Sequence, residues 1–120
     1  MRETLLIVDD HAGFRHLARR LLEAGGYSVV GEAEDGASAL AAAQTLRPQL
    51  VLLDVNLPDT DGFAVARRLA ESGSTARVIL TSSREAADLG ERLERSRATG
   101  FIHKDDLSGA ALARVAGTPG

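Results

Sequence analysis

Four places in the sequence carry residue types that could do chemistry together. Asp9-Asp10, Asp54, Thr81 and Lys104 each follow a short apolar run. Carboxylates bind divalent cations and can attack phosphorus, while a hydroxyl and an ammonium can neutralise phosphoryl oxygens. Thirteen of the fourteen basic residues are Arg, so Lys104 and the N-terminus are the only sources of an ammonium. The chemistry that these residue types permit is metal-assisted phosphoryl transfer.

Each of these residues also has an ordinary structural interpretation. Asp9 or Asp10 could cap a helix, Asp54 could cap a turn, and Thr81 could end a strand. Their coincidence favours function, because three carboxylates about 5 Å apart repel by roughly 3 kcal/mol per pair at an effective dielectric of 20. A divalent cation removes most of that cost. Since the ligands offered are all oxygens, the predicted cation is Mg²⁺.

The position of Asp54 makes it the better nucleophile. It ends the apolar run at residues 50–53, which is typical of a central strand and would hold the carboxylate rigidly at the floor of a crevice. The two carboxylates after the first run then hold the metal, while the hydroxyl and the ammonium contact the phosphoryl oxygens. His11, next to the pair, is interpreted as a helix-start residue and not as a ligand.

The elements that must position these residues alternate along the chain. Apolar runs predict strands at residues 5–8, 28–30, 50–53, 78–80 and 101–102. Helical patterns predict helices within residues 14–22, 37–46, 62–69, 84–97 and 107–115. Strands joined by helical crossovers form a parallel sheet covered on both faces. We therefore predict an α/β, flavodoxin-like (βα)5 fold, a doubly wound sheet in the order 2-1-3-4-5, with its crevice at the carboxyl ends of strands 1 and 3.

The first three helices carry apolar stripes that predict their buried faces. The stripes are Phe14, Leu17, Ala18, Leu21 and Leu22, then Ala39, Ala42, Ala43 and Leu46, then Gly62, Val65, Ala66 and Leu69. Arg15 and Arg19 are predicted to face water. The fourth helix has only three apolar positions and is interrupted by Gly90, so we predict that it is loosely held.

Two ion pairs are predicted along the exposed side of the fourth helix. Asp88 with Arg92 and Glu91 with Arg95 stand four residues apart, a spacing that contributes a few tenths of a kcal/mol per pair.

Length and composition limit the possible classes of protein. The 120 residues suit one domain, predicted at residues 1–116, with 117–120 as the start of a linker or a tail. The absence of cysteine excludes disulfides, zinc–thiolate sites and thiol nucleophiles. A net charge of -3 argues against direct nucleic-acid binding by this chain. No apolar run is long enough for a membrane span or a signal segment, and a cytoplasmic location is predicted.

The stretches LLIVDDH, VLLDVNLPDTDG, VILTS and GFIHK occur in this order. With this spacing the chain resembles, over essentially its whole length, the receiver domain of two-component response regulators. The resemblance implies that Asp54 accepts a phosphoryl group from a sensor histidine kinase or a phosphotransfer protein. It also implies that Mg²⁺ is ligated by Asp10, Asp54 and the backbone carbonyl of Asn56, with Asp9 acting through water.

The same resemblance implies how the phosphoryl group is sensed. Thr81 and Phe101 would form a hydroxyl–aromatic switch pair, and Lys104 would contact the phosphate. The fourth helix, fifth strand and fifth helix would then control an output domain or partner protein, here a transcriptional one. The Asp-Asp-His opening and the Lys-Asp pair resemble receivers that precede LuxR-type helix-turn-helix domains. A homodimer that forms on phosphorylation is left open.

Two residues depart from the pattern of this family. Many receivers have proline after the lysine with a cis bond before it, but here Asp105 follows, and a trans Lys104–Asp105 bond is expected. The residue before the lysine is usually apolar, whereas His103 stands here and is interpreted as a surface residue.

Two other functions compete with the phosphoacceptor. A haloacid-dehalogenase-like phosphatase would need a second aspartate two residues after the nucleophile, where Asn56 cannot transfer protons. A degenerate receiver that binds partners without phosphorylation is disfavoured by the intact set of carboxylates, hydroxyl and lysine. Self-phosphorylation and autodephosphorylation at Asp54 would be the only catalysis in this chain.

Overall fold

The computed structural model describes residues 2–117. The elements are β1 (Thr4–Val8), α1 (Ala12–Ala24), β2 (Ser28–Ala33), α2 (Gly36–Leu46), β3 (Leu50–Asp54), α3 (Gly62–Glu71), β4 (Arg77–Ser82), α4 (Ala86–Glu94), β5 (Gly100–His103), a 3-10 turn (Lys104–Asp106) and α5 (Gly109–Ala116). All strands pair in parallel in the order β2-β1-β3-β4-β5, which confirms the predicted fold. Of the predicted tail at 117–120, only Gly117 lies within the described residues.

The sheet separates two hydrophobic cores because alternate residues of a strand point to opposite faces. On one face Leu5, Leu50 and Ile79 pack with α1 and α5. On the other, Leu6 and Val51 pack with α2, α3 and α4. Every residue of β3 is buried, as a central strand requires. Within residues 2–117, no helix combines the length and apolar composition needed to cross a bilayer.

Two leucines that the stripes assign to the core are exposed. Leu17 of α1 is 49% exposed and Leu46, the last residue of α2, is 41% exposed. Ala18 and Leu22 are the buried residues of α1, and Leu17 lies about 140° around the helix axis from Leu22 at 3.6 residues per turn. The buried face is therefore narrower than the predicted stripe. The stripe of α3 is buried throughout.

The fourth helix is loosely packed, as the sequence predicts, but one of its ion pairs is different. Leu89 is its only buried residue, and Gly90 has a non-helical backbone (φ 55°, ψ -134°) that kinks the helix. Glu91 and Arg95 form the predicted pair, at 3.4 Å. The predicted pair of Asp88 with Arg92 is wrong, because Arg92 turns away from its own helix and binds another element.

Arg92 binds the N-terminus of α3. Its Nη2 lies 2.8 Å from Asp61 Oδ2, and its guanidinium carbon lies 4.6 Å from the centre of the Phe63 ring. Asp61 also caps α3, since its Oδ1 accepts a hydrogen bond from the Ala64 amide. Arg92 therefore joins α4 to the end of the loop that follows Asp54.

Candidate functional site

The predicted site residues meet at the carboxyl edge of the sheet. Asp9 follows β1, Asp54 ends β3, Thr81 is the second-last residue of β4, and Lys104 follows β5. Asp54 and Thr81 are direct neighbours in the register of β3 and β4. Asp9, Asp54 and Thr81 are buried, with 0%, 3% and 1% exposure. Strand order alone brings these side chains together, because parallel strands present their carboxyl ends on one edge.

The ammonium of Lys104 lies between two buried carboxylates. Its Nζ is 2.6 Å from Asp9 Oδ2 and 3.3 Å from Asp54 Oδ2. The ammonium also lies 4.5 Å from the centre of the Phe14 ring, which gives it a cation–π contact on α1. One positive charge thus offsets part of the repulsion between Asp9 and Asp54.

Burial and neighbouring charges shift the pKa values of Asp54 and Lys104. Burial, followed by the charge of Asp9, raises the pKa of Asp54, while Lys104 and the Asn56 amide act in the opposite direction. Burial alone would lower the pKa of Lys104, but the hydrogen bond to Asp9 and the charge of Asp54 outweigh it and raise that pKa. The raised pKa favours the charged form of Lys104, whereas burial disfavours the charged form of Asp54, which gains from further positive charge.

Thr81 has an unused hydroxyl. Its Oγ1 is buried and has no hydrogen-bond partner among the described residues. A buried hydroxyl without a partner is costly, so its presence beside Asp54 suggests a ligand that accepts its proton. Phe101 of β5 is half-buried, lies opposite Leu80 in the register of β4 and β5, and packs on the face that holds Leu89 of α4.

A cluster of three carboxylates and one imidazole lies at the open side of the site. Asp9, Asp10, His11 and Asp54 each place one ligand atom within 4.8 Å of the others. Asp9 and Asp54 are buried, whereas the Asp10 side chain is 36% exposed. The three carboxylates fit Mg²⁺, which binds through one or two carboxylates and keeps several waters on its solvent side.

His11 and the neighbouring Asn56 have definite structural roles. His11 is the residue at the N-cap of α1, as predicted, and its Nδ1 lies 3.1 Å from Asp9 Oδ1 and 3.0 Å from Asp10 Oδ1. Asn56 is exposed, and its amide hydrogen points to Asp54 Oδ1 at 3.3 Å. Metal ligation by the Asn56 carbonyl stays a prediction.

His103 is not the surface residue that the sequence suggests. Its side chain is only 14% exposed, and both ring nitrogens have backbone partners in neighbouring loops. The prediction is wrong because the loop between β4 and α4 folds over the end of β5, which a linear pattern does not reveal. The described residues contain no cis peptide bond, so the expected trans bond between Lys104 and Asp105 is confirmed.

Sequence reasoning missed how α1 supports the site. Arg15 was expected in water, but its side chain is 17% exposed, and its Nη1 donates to the Asp9 carbonyl at 2.7 Å. Its Nε contacts Glu32 at 3.1 Å, and Arg19 contacts the same carboxylate at 2.8 Å. The sequence shows that Arg15 and Arg19 lie on one face of the helix. It does not show that both contact Glu32 of β2, because that contact forms only in the folded chain.

Two further residues of the stretch VLLDVNLPDTDG hold the loop after Asp54, although spacing alone gives neither of them a role there. Gly62 approaches the Asp54 carbonyl so closely that an added Cβ would lie 2.4 Å from that oxygen. Asp59 accepts hydrogen bonds from the amides of Gly36 and Ala37 at the start of α2, at 2.8 and 3.1 Å. These amide hydrogen bonds lower the pKa of Asp59. The phosphoacceptor candidate is therefore followed by a tethered loop.

Comparison with known proteins gives a consistent result. A family model for the response regulator receiver domain matches residues 5–115. A Bordetella pertussis protein described as a positive transcription regulator of virulence factors, BvgA, is 35% identical over 121 residues, covering 98% of this chain and 58% of BvgA. The chain spans about half the length of the curated transcriptional regulators it matches. Protein-glutamate methylesterases also match, and the chain covers a third or less of their length.

Solved structures match over almost the entire chain. The signal receiver domain of the response regulator called NarL from Mycobacterium tuberculosis has a TM-score of 0.83 and 34% identity, with 98% of each chain covered. A LuxR-family two-component response regulator from Aurantimonas has a TM-score of 0.84 and 27% identity, covering 95% of this chain and 81% of the other.

Proposed function

The chain belongs to the response regulator receiver domain family, and on that premise we propose that Asp54 accepts a phosphoryl group and that the fold passes this event to an output domain. The observation that carries the proposal is the contact of Lys104 Nζ with Asp54 Oδ2, at 3.3 Å, on a buried carboxylate next to the unpaired Thr81 hydroxyl. A rigid nucleophile is thereby combined with two groups that suit phosphoryl oxygens.

The transfer step follows from these positions. A carboxylate oxygen of Asp54 forms a bond to phosphorus as the phosphorus–nitrogen bond of a phosphohistidine breaks, and the leaving imidazole takes up a proton. Lys104 and Thr81 neutralise the equatorial oxygens of the phosphoryl group while it is transferred. Mg²⁺, when bound, supplies further positive charge there; Asp10, Asp54 and the Asn56 carbonyl are its proposed ligands, with Asp9 acting through water.

The proposed donor is a sensor histidine kinase or a phosphotransfer protein. The proposed receiver of the signal is an output domain or partner protein that acts in transcription, because relatives described as transcriptional regulators extend well beyond the region matched here. Enzymatic output domains are the alternative, since protein-glutamate methylesterases also match. A homodimer that forms on phosphorylation is also compatible with membership of this family. The proposed location of the protein is the cytoplasm.

The proposed output surface comprises α4, β5 and α5. Helix α4 has one buried residue, Leu89, and a kink at Gly90, so its position costs little to change. We propose that Thr81 moves toward the phosphoryl group and that Phe101 moves into the space it leaves. Residues 1–116 form the proposed receiver unit, and 117–120 the start of a linker or a tail.

Intact-mass measurement after incubation with acetyl phosphate and Mg²⁺ tests the proposal. One Mg²⁺-dependent adduct of about 80 Da, the mass of a phosphoryl group, is expected on the wild-type chain and none on Asp54→Asn. Asp88→Asn, an exposed aspartate on α4, is the matched control and should label normally. No labelling of the wild type would leave the degenerate receiver as the better interpretation, and labelling of Asp54→Asn would assign the phosphoryl group to another residue.

A further inference from the structure

The ring of His103 joins two loops at the edge of the site. Its Nε2 lies 2.9 Å from the carbonyl oxygen of Ser83, in the loop between β4 and α4. Its Nδ1 lies 3.1 Å from the amide nitrogen of Asp105, within the 3-10 turn that begins at Lys104. One bond spans twenty residues of sequence and the other spans two.

These partners favour one tautomer of the ring. An amide can only donate, so the Asp105 N–H requires a lone pair on Nδ1; a carbonyl can only accept, so Ser83 requires a proton on Nε2. A neutral imidazole of the Nε2–H tautomer satisfies both. The Asp105 carboxylate lies 3.7 Å from Nδ1, beyond hydrogen-bond distance, and does not compete with the amide.

The two departures from the family pattern are thus parts of one arrangement. A proline after Lys104 would have no amide hydrogen to donate to Nδ1. An apolar residue in place of His103 would have neither an acceptor for Asp105 nor a donor for Ser83. The Lys-Asp pair and the histidine before it each supply one half of the same contact.

We propose that His103 is a positioning residue for Lys104, acting through its bond to the Ser83 carbonyl. Lys104 directly follows His103, and Ser83 stands two residues after Thr81, so the ring connects the loop that follows the strand of the hydroxyl with the turn that carries the ammonium. In the structure this bond accompanies the placement of Lys104 Nζ 3.3 Å from Asp54. When Thr81 moves toward a phosphoryl group, Ser83 moves with it, and the ring transmits that movement to the lysine turn. This inference rests on the proposed function, since Lys104 needs a position only if Asp54 is phosphorylated.

Three variants separate the two bonds. His103→Leu removes both hydrogen bonds and keeps a side chain of similar volume. His103→Gln places an amide nitrogen near the position of Nε2, so it can still donate to Ser83. His103→Asn places a carbonyl oxygen near the position of Nδ1, so it can still accept from Asp105 but does not reach Ser83.

The rate of acetyl phosphate labelling at Asp54 is the first measurement. We expect His103→Leu and His103→Asn to label about tenfold more slowly than the wild type, as for loss of a group that orients a functional side chain, and His103→Gln to label close to the wild-type rate. Equal rates in all variants, equal slowing in all three, or slowing of His103→Gln alone would overturn the proposal. Urea unfolding of the Gln and Asn variants, which have the same functional group, controls for stability.

Nitrogen-15 NMR of the ring is the second measurement. The wild type should show a slowly exchanging Nε2–H proton, and adding beryllofluoride, a phosphoryl mimic, with Mg²⁺ should shift that signal. A ring protonated on Nδ1, or an Nε2–H signal that beryllofluoride leaves unchanged, would contradict the proposal. Failure of the proposed function has a different result, because wild type and variants would then all fail to label, while the resting ring would still show the Nε2–H tautomer.

Discussion

The guanidinium of Arg92 lies 2.8 Å from the carboxylate of Asp61, so the weakly packed α4 is attached to the N-terminus of α3 by an ion pair. Asp61 ends the loop that begins just after Asp54. A change in that loop can therefore reach α4 without passing through the core. Arg92 is 62% exposed, so the pair contributes less to overall stability than to the position of one helix.

Removal of this contact should loosen α4 in the unphosphorylated protein. Arg92→Ala should increase amide hydrogen exchange across residues 86–94 while lowering the free energy of unfolding by less than about 1 kcal/mol. Arg95→Ala is the matched control, because Arg95 pairs with Glu91 inside the same helix. Similar exchange of α4 in both variants would show that the Asp61 contact does not hold the helix.

The second prediction concerns the charge balance of the site. Lys104→Met should lower the free energy of unfolding by about 3 kcal/mol in EDTA, because Asp9 and Asp54 would be buried without their shared cation. Mg²⁺ should recover a larger share of that loss in the variant than it adds to the wild type. Urea titrations with and without Mg²⁺ measure both effects. Adding Asp9→Asn to the variant should restore part of the stability in EDTA; no restoration would mean that carboxylate repulsion is not the cause.

The sequence predicts the meeting of Asp9, Asp54 and Lys104 well, because strand order is encoded in apolar runs and parallel strands share a carboxyl edge. It does not predict that Lys104 lies between the two carboxylates, so from the sequence a metal alone is expected to relieve their repulsion. The partner of Arg92 was also missed, since Asp61 is 31 residues away and competes with the nearer Asp88 only in the folded chain. Local spacing predicts which side chains can meet along a helix, whereas contacts between loops depend on tertiary packing.

A third prediction concerns the pH dependence of Glu32, which pairs with Arg19 and with Arg15, the residue that binds the Asp9 carbonyl. Hydrogen bonding by Arg19, against a smaller opposing effect of burial, lowers the pKa of Glu32 below its ordinary 4.5. A lowered pKa in the folded state gives stability that is present above pH 4.5 and is lost as the pH falls through the folded-state value. Glu32→Gln should therefore reduce the melting temperature at neutral pH, by an amount equivalent to less than about 1 kcal/mol, and the difference from wild type should vanish in acid.

Glu34→Gln provides the control for this pH profile. Glu34 directly follows β2, is exposed and forms no ion pair within residues 2–117. Its replacement should leave the melting temperature unchanged over the same range. A Glu32→Gln difference that persists at low pH would assign the effect to packing rather than to ionisation.

The last prediction separates the resting role of Thr81 from its role in signalling. Thr81→Val keeps the shape of the side chain and removes a buried hydroxyl that has no partner among the described residues, so it should raise the free energy of unfolding by about 1 kcal/mol. Ser82→Ala is the contrasting variant, because the Ser82 hydroxyl accepts a hydrogen bond from the Arg84 amide, and it should lower stability. With beryllofluoride and Mg²⁺, the wild type should change its hydrogen exchange in α4 and β5, because Thr81 is then drawn to the phosphoryl mimic and Phe101 follows. Thr81→Val should bind beryllofluoride and yet lose that distant change. If its α4 and β5 respond as in the wild type, the hydroxyl is not the link between Asp54 and the output surface.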